Sequence, residues 1–151
     1  MNNSTMARIS LQCGAMKTEA ATKSVLVVED EQSIRDILVE LFEVDGNTVT
    51  SAELLPQALD KLRTQRFDLI VTDLRLGGKR DGGLQVMALA GMLSPEAMVL
   101  VLTAYPDDSN RQASFRLGAL HFLEKPVDLA TIAQHADKVG VKTAFAGSIS
   151  E

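Results

Sequence analysis

VLVVED at residues 25–30 and FDLIVTD at residues 67–73 share one pattern, in which a run of apolar, mostly β-branched residues ends abruptly in acids. Strands that are buried on both faces of a parallel sheet have such continuous apolar runs. The acids fall where each predicted strand ends, at Glu29 and Asp30 in the first and at Asp73 in the second. The two stretches therefore predict strands of a parallel sheet with carboxylates at its carboxyl edge.

The alternation of strand and helix patterns continues to Val139. Apolar residues at helical spacing follow each predicted strand, beginning with residues 31–46 after the first. Three further strands are predicted, at residues 48–52, 97–104 and 120–126. Five strands alternating with five helices predict an α/β fold, in which a parallel sheet has helices on both faces and right-handed crossover connections.

Length and composition favour one cytoplasmic domain. The chain has 151 residues, and we expect a flexible N-terminal extension over residues 1–23, the domain over 24–139 and a C-terminal tail that frays over 140–151. The net charge of −5 argues against direct nucleic-acid binding, because phosphate contacts need clustered Lys and Arg. The single cysteine, Cys13, predicts a reducing compartment, and no apolar run approaches the ~20 residues of a membrane span.

Two more polar side chains stand at predicted strand ends. Thr103 ends the fourth strand and Lys125 lies at the end of the fifth. Each polar residue alone has an ordinary structural explanation, such as a helix cap at Glu29 or Asp30 or a strand-favouring residue at Thr103. Together they place three carboxylates, a hydroxyl and an amine at one edge of the sheet, which is where parallel α/β folds bind ligands.

This set of side chains predicts metal-assisted phosphoryl transfer. Three close carboxylates repel one another unless a cation lies among them, and Mg²⁺ prefers carboxylate, water and phosphate oxygens. One carboxylate is then available as a nucleophile towards phosphorus, and Asp73 is the candidate. Lys125 can pair with a phosphoryl oxygen, and the Thr103 hydroxyl can donate a hydrogen bond to another.

The chain resembles the receiver domain of two-component response regulators over residues 24–139. The resemblance rests on VLVVEDE, LIVTDLRL, VLTA and HFLEKP, together with Gly46 before the second strand and the Gly118-Ala119 step before the fifth. It implies a flavodoxin-like, doubly wound sheet with strand order 2-1-3-4-5. It also implies a phosphoacceptor signalling domain rather than an enzyme in the usual sense, with intrinsic Mg²⁺-dependent phosphotransfer and autodephosphorylation.

The resemblance also assigns the metal ligands. Asp73 would be phosphorylated and would share the Mg²⁺ ion with Asp30, which binds it directly. Glu29 would act mainly through water, and the backbone carbonyl of Arg75 would complete the protein ligands.

A conformational switch is implied as well. Thr103 and Lys125 would hold the phosphoryl group, and Thr103 would be coupled to the aromatic Phe122 on the fifth strand. Their movement would alter the surface of the fourth helix, fifth strand and fifth helix. The resemblance further implies a cis peptide bond between Lys125 and Pro126, which X-Pro bonds allow at little cost.

The implied partners are proteins. A sensor histidine kinase or a histidine phosphotransfer protein would donate the phosphoryl group from a phosphohistidine, and a downstream protein would bind the switched surface. In the family a second copy of the receiver is a common further partner, so a homodimer stays open here.

The loop after Asp73 departs from the family's common pattern. A proline often stands four residues after the acceptor aspartate, where this chain has Gly77, and GGKRDGG is slightly longer than usual. Arg75 and Tyr105, each two residues past a key position, are bulky enough to shield an acyl phosphate from water. We therefore predict slow hydrolysis of the phosphorylated form.

Other functions fit the sequence less well. A receiver-like interaction module that is not phosphorylated would not need the intact set of site residues. A hydrolase of the haloacid dehalogenase kind needs an aspartate two residues after its nucleophile, where Arg75 stands. The glycines of LGGKRDGG lack the spacing of a P-loop, and no GxGxxG follows the first strand. His121 and His135 have no further His or Cys at metal-ligand spacing, so we expect His121 at a strand edge and His135 in solvent on a helix.

Overall fold

The computed structural model describes residues 22–145, so nearly all of the predicted N-terminal extension lies outside the described residues. Within that range the chain forms five strands and five helices that alternate along the sequence. The strands are β1 Lys23–Val28, β2 Asn47–Ala52, β3 Leu69–Asp73, β4 Met98–Thr103 and β5 His121–Glu124. The helices are α1 Gln32–Phe42, α2 Leu55–Thr64, α3 Gly82–Leu93, α4 Asp108–Arg116 and α5 Leu129–Asp137.

The sheet is parallel throughout and its strand order is β2-β1-β3-β4-β5, which confirms the predicted doubly wound fold. The order reverses between β1 and β3, the point at which such sheets open a crevice at their carboxyl ends. The register places Asp73 opposite Leu102 and Thr103 opposite Glu124. The predicted site residues of β3, β4 and β5 therefore reach the same edge of the sheet.

Each face of the sheet has its own apolar core, because successive side chains of a strand point to opposite faces. In β1, Val25 and Val27 pack in the core beneath α1 and α5, and Leu26 and Val28 pack in the core beneath α2 and α3. Every residue of β3 and β4 is buried. The uninterrupted apolar runs that predicted central strands are thus explained by burial on both faces.

The C-terminal segment corrects one prediction. Residues 141–145 do not fray: Val141 is buried, and the Ala144 N–H donates to the Leu41 carbonyl over 2.9 Å. The Asn47 side chain also donates to the Lys142 carbonyl over 2.8 Å. The segment packs because alternate residues, including Phe145, turn towards the core beneath α1 and α5. This pattern is too short to stand out in the sequence, and residues 146–151 lie outside the described range.

The two histidines correct another prediction. His121 lies on the edge strand β5, as predicted, but His135 is not a freely solvated helix residue. Its ring stacks on the His121 ring with 3.7 Å between centroids and 26° between planes, and its Nδ1 atom is buried without a hydrogen-bond partner. The stack joins α5 to β5, a contact that neither local pattern could indicate.

Among residues 22–145, no helix has the length and apolar character that a membrane crossing requires.

Candidate phosphoacceptor and metal site

Asp73 lies at the carboxyl end of the central strand β3, where its side chain is almost enclosed. Its relative exposure is 7%. The start of α3 packs directly against the backbone here, because the Gly83 N–H donates to the Leu74 carbonyl over 2.8 Å. A Cβ atom at Gly83 would lie only 2.4 Å from the Asp73 carbonyl oxygen. The strand on one side and the helix on the other therefore fix the position of the Asp73 backbone.

Three acids meet at this point. Glu29, Asp30 and Asp73 each offer a carboxylate oxygen, and these oxygens lie within 4.8 Å of one another. We call this group the acidic cluster. It forms because the loop after β1 and the end of β3 are neighbours at the carboxyl edge of the sheet. Hard oxygen ligands at such spacing could hold a divalent metal ion.

Among the described residues, Lys125 is the one cation that forms ion pairs with carboxylates of the acidic cluster. Its Nζ atom lies 2.8 Å from Glu29 Oε1 and 3.1 Å from Asp73 Oδ2. Its backbone N–H donates to the Thr103 carbonyl over 2.7 Å, which ties the end of β5 to β4. The Lys125-Pro126 peptide bond is cis, as predicted.

Burial and neighbouring charges shift the pKa values of Glu29 and Lys125. Burial raises the pKa of Glu29 to about 7; the negative charge of Asp73 raises it too, and the hydrogen bond from Lys125 opposes the rise. Burial alone would lower the pKa of Lys125, but the hydrogen bond with Glu29 and the charge of Asp73 raise it above its ordinary value. Lys125 therefore stays protonated at neutral pH, and its single positive charge faces the three acids of the cluster. A divalent cation among the acids would neutralise the remaining negative charge, and the carboxylate oxygens suit such an ion.

Thr103 lies at the end of β4 and is 1% exposed. Its hydroxyl oxygen accepts a hydrogen bond from the Tyr105 N–H over 3.0 Å. The Tyr105 ring in turn lies beneath the Arg75 guanidinium, whose central carbon is 4.2 Å from the ring centroid. Arg75 and Tyr105 therefore pair across the loops that follow β3 and β4.

Phe122, the predicted switch residue, packs on the core face beneath α2 and α3. Its ring centroid is 6.5 Å from that of Phe115 on α4, and the Arg111 guanidinium lies 5.9 Å from the Phe122 ring centroid. The side chain is only half-buried. Its position suits the predicted coupling to Thr103 on the neighbouring strand, and the coupling itself stays a prediction.

The sequence matches the family model of the response regulator receiver domain over residues 25–137, which is more than half of the chain. The chain belongs to this family. A receiver domain is a phosphoacceptor module of two-component signalling, so the predicted family and the predicted class of function are both confirmed.

Individual relatives agree with this assignment. The receiver is 30% identical to sporulation initiation phosphotransferase F of Bacillus subtilis over 77% of this chain and 92% of that one. It is 35% identical to the alginate biosynthesis transcriptional regulatory protein AlgB of Pseudomonas aeruginosa over 68% of this chain, but it spans only 22% of the length of that regulator. A crystal structure of a Burkholderia pseudomallei response regulator, which contains a phosphorylated aspartic acid, a calcium ion and citrate, has a TM-score of 0.67 and 29% identity. That likeness covers 85% of this chain and 71% of the other.

Two glycines near Asp73 have roles that were not predicted from the sequence. Gly83 allows α3 to approach the Asp73 backbone, and Gly77 donates its N–H to Asp30 Oδ2 over 3.0 Å. The pair Gly82-Gly83 at the start of a helix could have indicated the close approach at Gly83, because one glycine would suffice for a turn. The signal for Gly77 was its place in the loop, where a proline is common in the family.

An apolar cavity of about 480 Å³ opens beside the receiver's lysine. Helix α1 contributes one wall, and the residues around Pro126 contribute the other. Lys125 itself belongs to the lining, so the cavity and the acidic cluster both contact this residue. Ile37 lies at this wall and is 48% exposed.

Proposed function

We propose that Asp73 is the residue that accepts the phosphoryl group. The observation that carries the proposal is the contact of the nearly enclosed Asp73 carboxylate with Lys125 Nζ at 3.1 Å, inside the acidic cluster. A carboxylate oxygen of Asp73 attacks the phosphorus of a phosphohistidine; the new O–P bond forms as the N–P bond breaks, and the released imidazole takes up a proton. The product is an acyl phosphate on Asp73.

Two side chains would stabilise the transferred group. The Lys125 ammonium would pair with a phosphoryl oxygen, as its present contacts with two carboxylates show it can reach the acceptor. The Thr103 hydroxyl uses its oxygen as an acceptor for the Tyr105 N–H, which leaves its own O–H to donate to a phosphoryl oxygen. Both donors act where negative charge develops, in a partly enclosed site.

Mg²⁺ is the proposed metal. Asp30 and Asp73 would bind it directly, Glu29 would act mainly through water and the Arg75 carbonyl would complete the protein ligands. The ion would supply charge neutralisation for the phosphoryl oxygens and the acids. The acidic cluster and the raised pKa of Glu29 support a cation here, and the calcium ion in the Burkholderia pseudomallei protein supports a divalent one.

The proposed donor is a sensor histidine kinase or a histidine phosphotransfer protein. The apolar cavity beside Lys125 supports contact with a protein donor, because Lys125 both lines the cavity and contacts Asp73, and part of the cavity wall, Ile37, is exposed. The proposed output is a change at α4, β5 and α5 that a downstream protein binds, driven by movement of Thr103 towards the phosphoryl group and of Phe122 inward. Autodephosphorylation would reset the receiver, and we place these events in the cytoplasm.

Intact-mass spectrometry after incubation with phosphoramidate tests the proposal. Wild-type protein should gain one phosphoryl group when Mg²⁺ is present and little or none when EDTA replaces it. Asp73→Asn should gain none, whereas Asp81→Asn, which changes an exposed acid of the same loop, should gain the full group. A wild-type protein that stays unmodified would instead indicate an interaction module that works without phosphorylation.

A further inference from the structure

The loop after β3 contains a small hairpin over residues 76–79. Leu76 and Lys79 exchange two backbone hydrogen bonds, with N···O distances of 3.0 and 2.9 Å. Gly77 and Gly78 form the turn with φ values of +55° and +83°. Positive φ at both central residues is the requirement of a two-residue type I′ turn, which glycine meets without steric cost. We call this element the 76–79 hairpin.

The 76–79 hairpin is held from below although its tip is exposed. Leu76 is 1% exposed and belongs to the core beneath α2 and α3. A Cβ atom at Gly77 would lie 2.8 Å from the Leu54 side chain, so the turn rests on the loop between β2 and α2. These contacts give the turn a defined position at the carboxyl edge of the sheet.

The turn aims one backbone donor at the acidic cluster. The Gly77 N–H donates to Asp30 Oδ2 over 3.0 Å, across 47 positions of sequence. Carboxylates that bind metal ions are themselves hydrogen-bonded by outer groups, which fix their orientation before the ion arrives. A carboxylate oxygen has a second lone pair, so accepting this bond leaves Asp30 able to bind an ion.

We propose that the Gly77 amide is a positioning group that holds the Asp30 carboxylate and so raises the affinity of the acidic cluster for Mg²⁺. The inference rests on the proposed function, because it takes the acidic cluster to be the metal site. A proline at this position would have no N–H and could not adopt positive φ. The glycine of this chain thus provides a contact that the common residue of the loop cannot make.

Mg²⁺ affinity measured without any phosphoryl donor tests the proposal. Titration of ¹⁵N-labelled protein with MgCl₂, followed by NMR, gives the dissociation constant from the amide shifts around Asp73. Gly77→Pro removes the donor and should weaken Mg²⁺ binding by about tenfold or more, the usual cost of losing an outer-shell partner. Gly77→Asn keeps the N–H and tolerates positive φ, and the exposed Leu54 side chain can move aside, so this variant should bind Mg²⁺ as wild type does.

Strain in the turn needs its own control. Gly78→Ala places a side chain at positive φ in open space and keeps both N–H groups, so it should retain most of the wild-type affinity. The proposal is overturned if Gly77→Pro binds Mg²⁺ as tightly as wild type, or if Gly77→Asn or Gly78→Ala loses as much affinity as Gly77→Pro. A wild-type protein that shows no Mg²⁺-dependent shifts near Asp73 would contradict the metal site itself, and with it this inference. If wild type shows Mg²⁺-dependent phosphorylation and all variants bind Mg²⁺ with equal affinity, the role of the Gly77 amide is contradicted and the proposed function stands.

Discussion

Strands β3 and β5 both lead to a residue of the proposed phosphoryl site, yet they are held very differently. All five residues of β3 are buried, and the strand has a neighbour on each side. None of the four residues of β5 is buried, and within residues 22–145 the strand pairs only with β4. The proposed acceptor Asp73 thus ends a fully buried strand, and Lys125 follows a strand that has no buried residue.

The helices beside the two strands repeat the difference. Helix α3 brings Gly83 into backbone contact with Leu74 at the end of β3. Helix α4, beside β5, buries only Ser114, while its Phe115 is exposed. Local opening and side-chain movement cost least where few apolar contacts must be broken. The receiver therefore fixes the proposed reacting carboxylate at the centre of the sheet, formed by β3 with α3, and keeps its proposed moving parts at the lateral edge, formed by β5 with α4 and α5.

Gly83→Ala should have the largest effect, because it disturbs the centre. The new Cβ would lie 2.4 Å from the Asp73 carbonyl oxygen and 2.8 Å from Leu74 Cα, so backbone atoms must shift. Overpacking of this kind lowers the free energy of unfolding by about 1–3 kcal/mol, which urea denaturation measures. The displaced Asp73 should also accept a phosphoryl group from phosphoramidate at least about tenfold more slowly, because reactivity depends steeply on the placement of the reacting atoms.

Gly91→Ala is the matched control in the same helix. A Cβ at Gly91 meets no atom within 4 Å, and the position is exposed. The substitution should raise the free energy of unfolding by about 0.5–1 kcal/mol, the helix preference of Ala over Gly, and leave phosphorylation unchanged. If Gly83→Ala is phosphorylated at the wild-type rate, as Gly91→Ala should be, then close packing of α3 does not fix the position of Asp73.

Most of the centre could be predicted from sequence, because its signals are local. VLVVED and FDLIVTD are apolar without interruption, which only burial on both faces explains, and parallel strands bring their acids to one edge. The contacts of Lys125 with Glu29 and Asp73 follow from that topology, and the structure contains them. The glycines were harder to interpret, since the close approach at Gly83 depends on how α3 docks.

The rest depends on contacts between distant segments. The Gly77 N–H reaches Asp30 across 47 positions, and His135 stacks on a residue of another element. The segment 141–145 packs against the core beneath α1 and α5 with alternate side chains, in a pattern too short to stand out in the sequence. Each of these features is determined by tertiary packing rather than by the spacing of residues along one element.

Arg75 and Tyr105 connect the loops after β3 and β4, and they should have the next largest effect. Their cation–π contact joins the loops that follow the strands of Asp73 and Thr103, and we expect the two side chains to hinder the approach of water to an acyl phosphate. Arg75→Ala and Tyr105→Ala should each shorten the phosphorylated lifetime by about two- to fivefold, in line with an interaction of about 0.5–1 kcal/mol. The lifetime is the decay of the phosphorylated mass after the phosphoramidate is removed.

A double variant shows whether the two side chains act together. If they form one shield, Arg75→Ala with Tyr105→Ala should shorten the lifetime little more than either change alone, because contacting residues are not additive. Arg80→Ala removes an exposed cation from the same loop and should leave the lifetime unchanged. Wild-type lifetimes in both single variants would contradict the predicted shielding.

The smallest effect is expected at the lateral edge of the sheet, where His121 of β5 and His135 of α5 should make stability depend on pH. Burial lowers the pKa of both histidines; the charge of Lys138 lowers both further, and His121 also lowers that of His135. The strand opposite His121, β4, places Leu100 there and has no ionisable residue. The unfolded chain therefore binds protons near the ordinary value of 6.5, while the folded chain binds them only at lower pH.

The neutral stack thus contributes stability that is complete above pH 6.5 and is lost as the pH falls below it. His135→Leu removes one titrating ring and the buried Nδ1 atom that lacks a partner. Urea midpoints measured at pH 7.5 and 5.5 should therefore differ less in the variant than in wild type. The protection factors of the β5 and α5 amides, which correct for slower intrinsic exchange in acid, should also fall less in the variant, because only His121 still titrates there. Since the centre contains neither histidine, exchange in β3 should change equally in both proteins. Wild-type protection factors in β5 and α5 that do not fall at pH 5.5 would mean that the stack holds α5 on β5 whatever its charge, and the difference between β3 and β5 would then lie in packing alone.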